Sequence, residues 1–185
     1  MNEDWKIKLE KSHKDFMNIV WPEIKNWFPL GDIIPVETKM QDDLARLFDT
    51  RAGIDMWKID PLGLRGIASR IQWQPSPPRS TFPDKTFTIR EIRADGFKTE
   101  RQKRQEAIKK GYVYPYWTIH AYLDKDCLLY ACCIETKELF FAYEFSPEIF
   151  KENTNKKNGN VFLYVYAEDL KNRNFGNVKI YERNK

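Results

Sequence analysis

Long apolar runs, paired histidines and a cysteine framework are all missing from these 185 residues. No stretch approaches the roughly 18 consecutive apolar residues that span a bilayer, so no membrane partner is expected. The opening Met1-Asn2-Glu3-Asp4-Trp5-Lys6 is charged at once. It carries no apolar h-region of a signal peptide, and the expected location is the cytoplasm. His13 and His120 stand far apart with no partner at ligand spacing, which argues against zinc. Cys127, Cys132 and Cys133 fit reduced thiols better than disulfides. On a strand, the adjacent Cys132 and Cys133 would point to opposite faces. The chain has no Gly-x-Gly-x-x-Gly or P-loop pattern and no nucleophile elbow. Internal repeats and low-complexity tracts are absent too.

What is present suffices for a core: 42% hydrophobic residues, 15% of the chain aromatic. One domain over residues 1–185 is expected. The formal net charge is +4, from 31 basic and 27 acidic residues. Its distribution says more than its size. Lys98, Arg101, Lys103, Arg104, Lys109 and Lys110 crowd one segment, against Glu100 and Glu106. That segment is either a phosphate-facing surface or a solvated helix face laced with ion pairs.

Periodicity gives the elements. Trp5, Leu9, Phe16, Ile19 and Val20 recur at helical spacing, and Pro22 opens a short second helix to Phe28. Pro29, Gly31 and Pro35 read as a connector. A helix is expected over Thr38–Phe48. Strands are expected over Ile54–Ile59 and Gly66–Trp73, joined as a hairpin at Asp60-Pro61-Leu62-Gly63. Prolines 75, 77, 78 and 83 make a loop of Gln74–Asp84. Thr86–Arg93 is expected as a strand, and Thr99–Lys110 as a helix closed by Gly111. Further strands are expected over Trp117–Leu123, Cys127–Glu135, Val161–Tyr166 and, at an edge, Asn177–Tyr181. Leu139–Tyr143 suits a strand or a helix. Residues 1–35 are thus expected as N-terminal helices, 36–135 as a core and 136–185 as a C-terminal sheet extension. The fold class is α/β, a mixed central β-sheet flanked by helices.

One constellation invites chemistry. Asp55 opens one strand, and the next carries Arg70 and Gln72, two apart and therefore on one face. The following strand holds Glu91-Ile92-Arg93, an acid and a base at the same spacing.

The run Asp43-Leu44-Ala45-Arg46-Leu47-Phe48-Asp49-Thr50-Arg51-Ala52-Gly53-Ile54-Asp55 resembles the entry to a PD-(D/E)XK nuclease core of the phage- and plasmid-associated type. There a helix leads through a Gly-Ile-Asp turn into the first strand, and the second strand carries an acid-x-Lys motif. The resemblance covers about residues 36–135 and implies a restriction-endonuclease-like core. It also implies a phosphodiesterase acting on DNA or RNA with Mg²⁺ or Mn²⁺. The carboxylates would hold the metal, and the metal would polarise the phosphate and activate water.

The motif is degenerate here. Arg70-Ile71-Gln72 stands where acid-x-Lys is expected. The expected catalytic set is then Asp55, Gln72, Glu91 and Arg93. Asp55 and Glu91 would be the metal ligands, and Glu37 or Asp43 could add one more. Arg70, Lys98, Arg101, Lys103 and Arg104 would contact nucleic acid. The alternative is a nuclease-like protein of a phage, plasmid or defence system that binds nucleic acid, or a protein partner, without cutting. Tyr112–Trp117 either packs in the core or stacks on bases. An exposed apolar element around Phe140-Phe141 would serve a protein partner or a homodimer.

Overall fold

The computed structural model describes residues 3–28, 30–36, 53–61, 63–92, 98–155 and 159–183. The helix expected over Thr38–Phe48, together with Glu37, Asp43 and Arg93, lies outside the described residues.

Helix α1 (Glu3–Asp15) runs on through a π turn (Phe16–Val20) into α2 (Trp21–Ile24) and a 3₁₀ turn (Lys25–Trp27). Its apolar stripe, Phe16, Val20, Ile24 and Phe28, is buried. Strand β1 (Asp32–Pro35) follows. The segment with Gly31 and Pro35 is therefore not the connector its prolines suggest. Proline is tolerated because β1 is an edge strand, which needs bonds on one side only.

β2 (Met56–Asp60) and β3 (Gly63–Trp73) form the expected hairpin. β4 (Thr86–Ile92) leaves that sheet, and helix α3 (Glu100–Lys110) follows. Thr99 caps α3 in a capping box with Gln102. Gly111 closes it at φ +66°, a conformation an L side chain resists. β5 (Pro115–Asp124), β6 (Cys127–Glu135), α4 (Thr136–Phe145), β7 (Lys151–Thr154), β8 (Val161–Tyr166), α5 (Ala167–Asn172) and β9 (Lys179–Glu182) complete the order.

The protein is α/β. Among the described residues, a mixed six-stranded sheet runs β1-β2-β3-β5-β6-β9, and a three-stranded sheet runs β4-β8-β7. All pairings are antiparallel except β3 with β5. A parallel pair needs a crossover, and β4 with α3 supplies it. In residues 136–185, β8 pairs with β4, and β9 joins the large sheet beside β6.

Each face of the large sheet has its own core. On one, Met56, Ile67, Ile71, Ile119, Leu123 and Cys133 meet the N-terminal helices. On the other, Tyr122, Tyr130, Cys132 and Ile134 meet Phe87, Ile89, Leu163 and Val165 of the small sheet, and Leu139 and Phe140 of α4. Cys132 and Cys133 thus do point to opposite faces, both as buried free thiols. Phe140 belongs to this core rather than to an exposed apolar element, because Thr136–Phe145 is a helix and not a strand. No described helix is long and apolar enough to cross a membrane.

Candidate phosphate-binding cleft

The small sheet is fastened to the large one through a strand edge. β4 is an outer strand of its sheet, so one row of its N–H and C=O groups has no strand partner. Side chains from the large sheet take that place. The Tyr122 hydroxyl donates to Thr86 O at 2.8 Å and accepts from Thr86 N at 3.1 Å. His120 Nδ1 accepts from Thr88 N at 3.2 Å, and Arg70 Nη1 donates to Thr88 O at 2.9 Å. The parallel register sets Arg70 opposite His120 and Gln72 opposite Tyr122.

Beside this seam lies a cleft of about 240 Å³. Five of its side chains are basic: Arg70, Arg90, Lys98, Lys103 and Arg104. Two are carboxylates, Asp55 and Glu100, and His120 and Thr118 stand at its back. Lys98, Glu100, Lys103 and Arg104 come from α3 and the residues just before it, so the capping box at Thr99 also sets the cleft wall.

Glu100 is the electrostatic hub. Its Oε2 meets Arg70 Nη2 at 2.9 Å and its Oε1 meets Arg104 Nη1 at 2.8 Å. Burial works to raise the Glu100 carboxyl pKa, but Arg104 and Arg70 outweigh it and hold it at about 2. Arg104 is only 6% exposed and reaches Thr118 Oγ1 at 3.4 Å. Its Nε is buried without a hydrogen-bond partner. Gly53, at φ +64°, presents backbone to this guanidinium: a Cβ there would lie 3.7 Å from Nη2. Burial, with Arg70 and Arg104 acting the same way against Glu100, lowers the His120 pKa to about 3. His120 is therefore neutral. Its Nδ1 also lies 3.2 Å from Thr86 O, so the ring is seated between two backbone groups of β4.

Asp55 has a structural partner. Its N–H continues the hairpin ladder to Ile67 O at 2.9 Å. β3 then runs on beyond β2, and the Asp55 carboxylate substitutes for the missing strand. Oδ2 accepts from Ser69 N at 2.5 Å and from Ser69 Oγ at 3.3 Å.

Asp55, Arg70, Lys98, Lys103 and Arg104 are thus brought together. Glu91 is not. It is the bulged residue of β4, where the register slips between Arg90 and Ile92, and it forms an ion pair with Arg101. Arg101 in turn lies over the Tyr143 ring at 5.4 Å, so it is turned from the cleft that its neighbours line. Gln72 lines an adjoining groove with Arg70 rather than the cleft. Residue-type reasoning missed Arg90, Glu100, Thr118 and His120. Only Arg90 had a local signal, the Thr86-Thr88-Arg90 alternation on its strand.

A divalent metal does not fit this donor set. Asp55 is engaged by Ser69, Glu91 is held by Arg101, and Glu100 lies between two guanidinium groups. No described group of three or more His, Cys, Asp or Glu could hold an ion. The cleft instead suits an anion with several oxygen acceptors, as a phosphate presents.

Comparison with protein-family models, curated proteins and solved structures gives no match.

Proposed function

We propose that this protein binds nucleic acid through the cationic cleft and does not cut it. One observation carries this reading: five basic side chains surround a cleft whose two carboxylates are already engaged. At the position where a PD-(D/E)XK site would carry an acid, Arg70 instead bridges Glu100 and the β4 backbone. A guanidinium there attracts phosphate and repels a metal ion. Arg104 shapes the cleft from within, and Arg90 and Lys103 line it as partly buried cations.

Binding of a fluorescent oligonucleotide, measured across a salt series, tests it. Affinity should fall log-linearly with salt. Lys103→Gln should weaken binding at low salt and reduce the slope by about one. Affinity that ignores both salt and Lys103 would refute the assignment.

A further inference from the structure

Next to the cleft, and sharing Arg70 and Arg90 with it, runs a larger groove of about 960 Å³. Its floor is the outer face of the small sheet. Strand alternation on β8 sends Leu163 and Val165 into the core and leaves Phe162, Tyr164 and Tyr166 on the other side. Their cross-strand partners on β4 are Arg90, Thr88 and Thr86 respectively. On β7, Asn153 stands opposite Phe162, and Lys151 opposite Tyr164.

An aromatic row is unusual on the solvent side of a sheet, where its apolar area gains nothing from burial. Tyr166 is 38% exposed. Tyr164 and Tyr166 have ring centroids 6.1 Å apart and meet edge to face at 86°, so of the two it is the more exposed Tyr166 that offers a ring face. Cations lie over a face of two of the rings. The Arg90 guanidinium lies 5.5 Å from the Phe162 ring, and Lys151 Nζ lies 5.4 Å from Tyr166. Arg79, paired with Asp84 at 2.9 Å, and Lys85, paired with Glu182 at 2.5 Å, line the groove further along.

We infer that this groove holds single-stranded nucleic acid. A base stacks on the exposed Tyr166 ring, Phe162 and Tyr164 support it from the sheet, and the backbone phosphates follow Arg90 and Arg70 into the cleft. The inference rests on the cleft being a phosphate site and adds the strand preference. A duplex hides its base faces in its own stack, so the aromatic row offers it nothing. A single strand uses both the rings and the cations.

Fluorescence anisotropy with labelled oligo(dT), oligo(U) and a duplex of equal length tests this on the full chain. The expected result is a single-strand affinity at least about tenfold above that for duplex, the scale of one stacked base. Tyr166→Ala should lose about tenfold on single strands and leave duplex affinity unchanged, while Tyr166→Phe restores the loss. Oligo(dT) and oligo(U) arms tell DNA from RNA preference. Equal affinity for duplex and single strand, unmoved by Tyr166→Ala but weakened by Lys103→Gln, would overturn the groove and leave the cleft standing. An equal response to heparin would also overturn it, as generic polyanion binding. Absence of binding to every nucleic acid would overturn both.

Discussion

Arg70 of β3 and Glu100 of α3 meet at 2.9 Å across the cleft, and this pair ties the large sheet to the crossover helix. The same guanidinium holds the edge of β4 through Thr88 O. One arginine thus joins three elements where the nuclease resemblance would have had a metal-binding acid.

Glu100→Gln leaves Arg70 and Arg104 without their shared countercharge. Both partners are about a quarter exposed or less, so solvent does not fully compensate. The expected loss is about 2 kcal/mol, the scale of a charged hydrogen bond. Urea unfolding of Glu100→Gln, Arg70→Gln and the double variant should give a coupling of about 1 kcal/mol. Strictly additive losses would mean the pair contributes nothing.

Acid should destabilise the protein from near pH 6.5 downward. His120 has a folded pKa near 3, below its ordinary 6.5. Below pH 6.5 the unfolded chain therefore binds a proton that the folded chain refuses. The stability is present above 6.5 and is lost as pH falls, by up to about 1.4 kcal/mol per unit. Glu100, held at about 2 against an ordinary 4.5, acts in the same direction between those values. Thermal melts from pH 7.5 to 5 should show the decline, and His120→Gln should flatten it. Equal slopes for the two proteins would remove His120 as its source.

The sheet was largely legible in the sequence, because half-buried strands alternate and turns announce themselves. β6 and β8 run over the residues expected, and Gly111 ends α3 as its type predicts. β1 was not, because proline reads as a breaker and an edge strand relaxes that rule. Leu139–Tyr143 was ambiguous because a short apolar run has no period of its own. In the site, Arg70 and Gln72 were readable as one face of a strand. Glu100 and His120 were not, because the β3–β5 register and the crossover bring them to Arg70 from far along the chain. Pairing Asp55 with Glu91 failed because β4 leaves the sheet that carries Asp55. Tyr112–Trp117, open in the sequence between core packing and base stacking, divides: Trp117 packs against a core and Tyr112 is exposed. Tyr116 and Trp117 lie against the Arg65 guanidinium at 5.0 and 5.5 Å.

Asp55 accepts from Ser69 N–H and Oγ–H at the wall of the cleft proposed to receive phosphate. Asp55→Asn keeps an acceptor for Ser69 N–H and removes one negative charge from the cleft. Oligonucleotide affinity and integrity, measured for wild type and Asp55→Asn with and without Mn²⁺, decide the matter. The account predicts an intact oligonucleotide throughout and about fivefold tighter binding by the variant, the scale of ~1 kcal/mol for a unit charge at close range in water. Mn²⁺-dependent cleavage by the wild type that Asp55→Asn abolishes would contradict it.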